Sequence, residues 1–186
     1  RKNQIIEWIY KKRVLSPDKM TNIPNDIRTQ FKELVDSEYP KIFEESSTSD
    51  KTIKILFELA DHKLIEAVII DSIKRKTFCL SSQVGCSVQC HFCTSGSLGL
   101  ERNLKAEEIV GEFIVLSNYA KMLPDNVVFM GIGEPLLNFN NMVSALEIIC
   151  SSNYINYAQR RITISTSGIT EKIIMLSKLK KQYNLA

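Results

Sequence analysis

The first 84 residues contain no glycine, because all seven glycines of the 186-residue chain lie at or after Gly85. Glycine is favoured wherever a backbone turns tightly or approaches another closely. We therefore predict that the two parts of the chain are built differently. Long apolar runs are missing as well: a clean stretch such as Ala67 to Ile70 has the length of a strand. A membrane-spanning helix needs roughly 18 apolar residues, so we exclude a membrane span and expect no membrane partner.

Cysteine is scarce, and neither sign of charge dominates. The chain has five cysteines, three of them in one eight-residue window, a pattern that suits a reducing compartment better than a disulfide framework. The net charge is +3, with 15 Lys and Arg against 13 Asp and Glu before Phe78 and 9 against 8 from there on. Bulk charge thus indicates no particular partner. Arg1 to Gln4 lead into an amphipathic segment instead of a secretion signal, so we expect a cytoplasmic protein.

Hydrophobic residues make up 44% of the chain, enough for a folded core. Apolar residues at helical spacing over 4–10 and 25–39 predict a small helical module in residues 1–45. A polar, serine-rich joint at 44–50 separates it from a β-hairpin with its turn at 61–63, giving a linker and hairpin over residues 46–76. Residues 77–186 form the third predicted unit.

From residue 77 onward, strands and helices alternate in three predicted βα units: strands 77–81, 126–130 and 161–166, and helices 106–119, 141–150 and 170–180. This order predicts a parallel α/β fold with its chemistry at the carboxyl ends of the strands. Three βα units do not close a barrel, and residues 183–186 look like the approach to a fourth strand. We therefore expect a fragment.

The loop after the first of these strands carries Cys86, Cys90 and Cys93 as C-x3-C-x2-C. Thiolates are soft ligands that suit iron–sulfur clusters or zinc. A structural zinc site needs four ligands, so one further residue would have to complete it: Cys79, Cys150 or His91. A cubane held by three thiolates leaves one iron open for a substrate. The pattern favours iron–sulfur chemistry, with a non-catalytic, zinc-stabilised RNA-binding module as the alternative.

With aromatic Phe92 before its last cysteine, this motif resembles that of the radical S-adenosylmethionine enzymes, and the chain is more closely similar to the RlmN/Cfr group of RNA adenine methyltransferases. Four segments carry the resemblance in order: Phe78–Cys86, Gly99–Leu104, Phe129–Asn138 and Ile162–Gly168. The fold that it implies is α/β, a partial (β/α) radical SAM barrel with about three βα units, preceded by the helical module and the hairpin.

The resemblance also implies two cofactors, a [4Fe–4S] cluster and S-adenosylmethionine. Three cysteines would bind three of the irons: Cys86, Cys90 and Cys93. Gly133 and Glu134 would contact the amino group of S-adenosylmethionine, and Ser165 would be a further contact. Without the resemblance, a glycine turn after a strand is common and a serine in Ser-Thr-Ser-Gly is a turn former.

Two catalytic residues follow from the same resemblance. The counterpart of Cys79 resolves a covalent RNA–protein adduct and leaves a transient disulfide. Glu66 aligns with a proposed proton acceptor, although a glutamate on a hairpin is more often a solvated charge. The methyl-carrying cysteine of the group has no match here, since Cys150 falls in a helix pattern. We therefore expect this chain to be catalytically incomplete.

The implied reaction is methylation of carbon 2 of adenine in 23S rRNA and tRNA, with flavodoxin or ferredoxin as electron donor and a monomeric enzyme. A Cfr-like enzyme that modifies carbon 8 is the alternative; the proline in Gly133–Asn138 favours the RlmN-like activity. The helical module is the candidate RNA clamp, with four basic residues around Trp8 and Tyr10: Lys2, Lys11, Lys12 and Arg13.

Overall fold

The computed structural model describes residues 1–186, apart from the side chains at positions 36, 37 and 98. The α-helices are α1 Lys2–Ile6, α2 Asn25–Glu38, α3 Ala106–Tyr119, α4 Phe139–Cys150 and α5 Thr170–Lys178. Glu7–Lys11 continues α1 as a π-helical segment, and 3-10 turns lie at Pro17–Lys19, Thr94–Leu98 and Gln159–Arg161. Within the described part of the chain, no helix is long and apolar enough to cross a membrane.

The strands are β1 Lys41–Ser47, β2 Ile53–Glu58, β3 Leu64–Ser72, β4 Arg75–Cys79, β5 Gln83–Gly85, β6 Leu100–Asn103, β7 Asn126–Phe129, β8 Ile162–Ile164 and β9 Asn184–Leu185. Seven of them form one sheet in the order β1-β2-β3-β4-β7-β8-β9, and β5 pairs with β6 in a separate ribbon. The pairs from β1 to β4 are antiparallel, whereas β4, β7, β8 and β9 run parallel. The predicted α/β class and the three βα units are confirmed.

The helices cover one face of this sheet, and the strands alternate accordingly. Ile65, Ala67 and Ile69 of β3 are buried, while the residues between them are half-buried or exposed. On the covered face, Phe78 of β4 packs edge-on against Phe113 of α3 with 6.3 Å between the ring centroids. Phe113 in turn packs against Tyr157 at 5.5 Å. This aromatic cluster fixes α3 to the centre of the sheet.

Two parts of the sheet differ from the prediction. Residues 44–47, predicted as a polar joint, belong to β1, whose side chains are all exposed along an edge of the sheet. Their polar composition reflects that exposure, so composition alone misled the interpretation. The predicted division between residues 45 and 46 thus falls inside a strand. The hairpin of β2 and β3 is also paired with β4, for example through Val68 and Cys79, so it belongs to the same sheet as the parallel strands.

Both aromatic side chains of the N-terminal module that the sequence suggested for RNA contact other residues of the chain, Trp8 within the module and Tyr10 outside it. The Trp8 indole Nε1–H donates to Asn22 Oδ1 at 2.6 Å. The Tyr10 ring packs edge-on against Tyr154, which follows α4, at 5.1 Å between centroids. The Asn118 Nδ2 amide of α3 donates to the Arg13 carbonyl at 2.6 Å. Trp8 and Tyr10 therefore serve packing in this conformation.

We predict that Phe113→Ala lowers the free energy of unfolding by about 3–5 kcal/mol, because it removes the ring that joins β4 to Tyr157 and leaves a cavity. Urea denaturation of the two proteins measures the difference. Phe43→Ala is the matched control: this phenylalanine on β1 is 59% exposed, so the same truncation should change stability by less than about 0.5 kcal/mol. Equal losses in both variants would contradict this account of the core.

Candidate functional site

Three loops meet at the carboxyl edge of the parallel strands. The first follows β4 and contains the cysteine motif, the second follows β7 and spans residues 130–138, and the third follows β8 at residues 165–169. In parallel α/β folds this edge collects the chemistry, because every crossing helix returns the chain to the opposite edge. The predicted site segments are therefore brought together by the strand order.

The first two loops are joined by backbone hydrogen bonds. The Ile132 carbonyl accepts the N–H groups of Ser82 at 2.8 Å and Gln83 at 3.2 Å. Gly131 N–H donates to the Leu80 carbonyl at 3.0 Å. Gly133 has φ +104°, and a Cβ there would lie 2.6 Å from the Cβ of Gln83. Only glycine allows this approach without displacement, so predicted site residue Gly133 has a definite structural function.

Glu134, predicted to bind a cofactor, is 4% exposed and accepts four hydrogen bonds. Its Oε1 accepts from Leu136 N–H at 3.0 Å and from Thr166 Oγ1 at 2.7 Å. Its Oε2 accepts from the backbone N–H of Ser167 at 2.7 Å and from that residue's Oγ at 2.9 Å. These contacts bind the loop after β7 to the loop after β8. A cationic ligand of this carboxylate would have to share or replace one of the four donors.

The third predicted cofactor contact, Ser165, stands at the start of the loop after β8 and is half-buried. Its neighbours Thr166 and Ser167 make the contacts to Glu134. The structure therefore brings the Ser-Thr-Ser segment to the loop after β7, as predicted, but the residues that touch Glu134 are the two that follow Ser165.

The cysteine loop is closed at its base and turns between its last two cysteines. Cys86 directly follows β5, and its N–H donates to the Gly99 carbonyl at 2.9 Å. Cys93 N–H donates to the Cys90 carbonyl at 3.0 Å, which folds that segment into a turn. Cys86 is buried, whereas Cys90 and Cys93 are half-buried. The three predicted ligands thus lie on one short loop at the site edge.

The donor set fits an iron–sulfur cluster in its chemistry, since soft thiols on one loop are what such clusters require. All five cysteines are free thiols, so the structure does not support the expected disulfide. Within the described side chains, no three His, Cys, Asp or Glu residues converge on a common metal position.

Cys79, a predicted catalytic residue, ends β4 and is buried. Burial raises the pKa of its thiol to about 11, and the charges of Glu112 and Glu66 act in the same direction. A hydrogen bond from the Met130 backbone only partly opposes these effects. Cys79 is therefore held as a thiol at neutral pH and needs a base or a change of surroundings before it can attack.

Glu66, the second predicted catalytic residue, lies on the same face of the sheet as Cys79. Val68 is directly opposite Cys79 in the β3–β4 pair, and side chains two apart in a strand share a face. This is the face opposite to Phe78, away from α3. Lys54 of β2 forms an ion pair with the Glu66 carboxylate at 3.0 Å. The structure brings the two predicted catalytic side chains to one face, close enough for the Glu66 charge to act on Cys79.

A buried carboxyl group that sequence reasoning missed lies beneath this site. Glu112 of α3 is fully buried, and its Oε2 accepts the Ser81 backbone N–H at 3.0 Å. Burial raises the pKa of Glu112 well above its usual value. The Ser81 hydroxyl donates to the Glu66 carbonyl at 2.6 Å and accepts the Ile132 N–H at 2.8 Å. Glu112 thus orients Ser81, which connects β3 to the loop after β7.

Four other residues that contribute to the site also had no predicted role, although all of them lie in the segments that carried the resemblance: Gln83, Asn138, Thr166 and Ser167. Asn138 Nδ2 donates to the carbonyls of Ser82 at 2.8 Å and Leu104 at 2.7 Å. Gln83 accepts the Glu134 N–H at 2.8 Å. Polar residues next to glycine turns were the available signal, but their partners lie 32–56 positions away and are set by the fold.

Comparison with protein families places this site in a known class. Residues 80–185 match the model of the radical SAM superfamily. Because this match covers more than half of the chain, the chain belongs to the radical SAM superfamily. Residues 1–36 match a second model, the ribosomal RNA large subunit methyltransferase N-terminal domain. The radical SAM match begins just after β4 and extends over the βα units, and the second match lies in the helical module.

Individual relatives are more specific, and they confirm the resemblance to the RlmN/Cfr group. The chain is 42% identical, over its whole length, to a probable dual-specificity RNA methyltransferase RlmN from Thermosipho melanesiensis. It is 43% identical to the protein of the same description from Petrotoga mobilis. Over 96% of its length it is 41% identical to the dual-specificity RNA methyltransferase RlmN of Syntrophus aciditrophicus.

A solved structure agrees with the sequence relatives. The chain superimposes on a radical SAM methyltransferase from Sphaerobacter thermophilus with a TM-score of 0.92 and 35% identity, covering 98% of this chain and 55% of that one. It likewise spans about half the length of the curated relatives that it matches, between 52% and 55%. The predicted radical SAM fold is confirmed, as a part of the relatives' fold.

We predict that Cys79 reacts with iodoacetamide roughly a hundredfold more slowly than free cysteine at about pH 8, since its raised pKa leaves far less thiolate. The rate should climb about tenfold per pH unit until the pH approaches about 11, the pKa that burial imposes. Peptide mass spectrometry of the alkylated protein measures each cysteine separately. Unfolding in urea should abolish the protection. Modification of folded Cys79 at the rate of free cysteine would contradict the burial of its thiol.

Proposed function

We propose that the protein containing this chain is an RlmN-like radical methyltransferase that adds a methyl group to carbon 2 of adenine in 23S rRNA and tRNA. The proposal is carried by the meeting of the three loops at one sheet edge in a chain 42–43% identical to RlmN relatives over its whole length. It extends to this chain what those relatives' descriptions say of dual-specificity RNA methylation.

In this proposal the three thiols of the cysteine loop bind a [4Fe–4S] cluster: Cys86, Cys90 and Cys93. The cluster, when bound, supplies the electron that cleaves S-adenosylmethionine to a radical. Gly133 allows the loop after β7 to lie against Gln83, and Glu134 offers a buried carboxylate to the cofactor's ammonium group. Ser165 lies beside the residues that orient Glu134 and is proposed as a further cofactor contact.

Cys79 and Glu66 are the proposed catalytic residues, since both occupy the sheet face away from α3. Glu66 would accept a proton from the modified base, and its carboxylate lies 3.0 Å from Lys54 Nζ. Cys79 would then attack the sulfur of the RNA–protein adduct. As its new S–S bond forms, the thiol proton passes to a proton acceptor and the bond between the adduct sulfur and its methylene carbon breaks. The electron pair of that bond goes to the carbon, which takes up a proton to become the methyl group on adenine. The raised pKa of Cys79 keeps it inert until that step.

RNA is the proposed partner, and the N-terminal module is the proposed contact. A groove of about 700 Å³ separates α1 from the turn after α4, and two of the predicted basic residues, Lys2 and Lys11, line it with Asn153 and Tyr154. Lys12 is engaged within the module, over the Trp8 ring at 3.9 Å. Backbone phosphates are the groups such lysines would neutralise. A cytoplasmic location, a flavodoxin or ferredoxin electron donor and a monomeric state complete the proposal.

The position of the methyl group is the decisive test. We predict that RNA incubated anaerobically with the full-length protein, S-adenosylmethionine and a reductant yields 2-methyladenosine on nucleoside mass spectrometry. A product methylated on carbon 8 would favour the Cfr-like alternative and defeat the proposal. Because the matched relatives are about twice as long as this chain, the experiment uses the full-length protein.

We also predict that anaerobic reconstitution with iron and sulfide gives broad visible absorption and, after reduction, an electron spin resonance signal. Cys90→Ala should abolish both, because two thiolates hold a cubane poorly. Cys150→Ala is the matched control and should retain them, since this cysteine lies at the end of α4, away from the motif. Purified protein that holds zinc and takes up no iron would support the non-catalytic alternative.

A further inference from the structure

Arg102 belongs to Gly99–Leu104, a segment that carried the family resemblance but has no role in the proposed chemistry. Its guanidinium donates to Asp61 from Nε at 2.7 Å and from Nη2 at 3.0 Å. It donates to Glu108 from Nη1 at 2.8 Å and from Nη2 at 2.9 Å. Nη1 also donates to the Asn103 carbonyl at 3.1 Å. Since a guanidinium has five N–H donors, every one of them is used.

The two carboxylates differ in their surroundings. The Glu108 side chain is 4% exposed, and its Oε2 also accepts the Lys105 backbone N–H at 2.7 Å in the first turn of α3. The Asp61 side chain is 43% exposed, yet its hydrogen bonds with Arg102 lower its pKa to about 2. The Arg102 guanidinium thus forms bidentate hydrogen bonds with the buried carboxylate of Glu108 and with the exposed carboxylate of Asp61. We call Arg102, Asp61 and Glu108 the Arg102 cluster.

The Arg102 cluster connects three segments of the site. Asp61 stands in the turn between β2 and β3, and Glu66 lies on β3 five positions later. Arg102 is opposite Val84 in the β5–β6 ribbon, and β5 runs directly into Cys86, whose N–H donates to the Gly99 carbonyl. Glu108 belongs to α3, the helix of the first βα unit. The hairpin, the base of the cysteine loop and this helix are therefore held at one point.

We propose that Arg102 is a positioning residue, which through the Arg102 cluster holds the hairpin that carries Glu66 in register with the ribbon that carries Cys86. The inference rests on the proposed function for the roles of those two residues. Lysine cannot replace Arg102, because its three N–H donors lie on one nitrogen and cannot form bidentate hydrogen bonds with two carboxylates at once. The contact of Arg102 with Asp61, which we call the hairpin arm, joins it to the hairpin, and its contact with Glu108, the helix arm, joins it to α3.

The test separates the two arms. Asp61→Asn removes the hairpin charge and leaves the pairing of Arg102 with Glu108 intact, whereas Arg102→Lys weakens both arms. Lys63→Ala is the matched control, since it removes an exposed ion pair with Glu101 between the same hairpin turn and β6. Thermal unfolding establishes that each variant is folded. Should Arg102→Lys fail to fold, Asp61→Asn alone decides.

The first measurement is amide hydrogen exchange of the iron-free protein. In Asp61→Asn we expect exchange of the Cys86 N–H and of the hairpin turn to rise about tenfold, the change that corresponds to about 1.4 kcal/mol in an opening equilibrium. The first turn of α3 should be unchanged in this variant and faster in Arg102→Lys. In Lys63→Ala all three regions should exchange as in the wild type.

The second measurement uses the iron-loaded protein. In Asp61→Asn and Arg102→Lys we expect iron loss to a chelator to be about tenfold faster and the electron spin resonance signal of the reduced cluster to change in shape. Lys63→Ala should show neither effect. The proposal would be overturned if the Cys86 N–H of Asp61→Asn exchanged at the wild-type rate. It would also be overturned if the hairpin turn exchanged faster in that variant while its rate of iron loss and the shape of its signal stayed as in the wild type. If the wild-type protein bound no iron, the proposed function would be overturned instead. The exchange rate of the Cys86 N–H in Asp61→Asn would still decide the role of Arg102.

Discussion

The contact between the loops after β4 and β7 is the constraint on which the rest of the site depends. The Ile132 carbonyl accepts two backbone N–H groups from the first loop, and Gly131 returns a hydrogen bond to Leu80. A side chain at Gly131 would place its Cβ 2.8 Å from that carbonyl oxygen, so the two backbones meet only because glycine is there. In this arrangement the Gln83 side chain accepts a hydrogen bond from the Glu134 N–H, and the Glu134 carboxylate accepts one from Thr166 in the loop after β8.

A second consequence of the fold is the division of the sheet into two kinds of surface. The helix-covered face is apolar and carries the aromatic cluster around Phe113, which gives the sheet its stability. The opposite face carries Cys79 and Glu66, because the antiparallel β3–β4 register sets Cys79 opposite Val68, two residues from Glu66 on the same face. Buried Glu112 connects the two by holding Ser81 from the helix side. The aromatic core and the two predicted catalytic residues thus lie on opposite faces of the same sheet.

Much of the fold followed from periodicity. Helices α2 and α3 lie within one residue of their predicted bounds, since long amphipathic segments carry a strong signal, and the predicted turn at 61–63 lies between β2 and β3. Residues 44–47, predicted as a polar joint, belong to the exposed edge strand β1, and the short ribbon of β5 and β6 has no counterpart among the predicted strands. β1 is exposed along its whole length, β5 is buried along its whole length and β6 is mostly exposed, so none of the three shows the alternation that a local pattern could reveal.

For the site, the sequence alone determined which residue types are present and at what spacing: the three thiols, the glycines that allow close approach, and the acidic residue after β7. These are local properties of the chain, readable without a partner. Only the tertiary structure decided that Thr166 and Ser167 orient Glu134, that Glu112 supports Ser81, and that Arg102 unites Asp61 with Glu108. Those partners are separated by between 6 and 41 positions, and a hydrogen bond depends on where two backbones lie in space, which spacing along the chain does not specify.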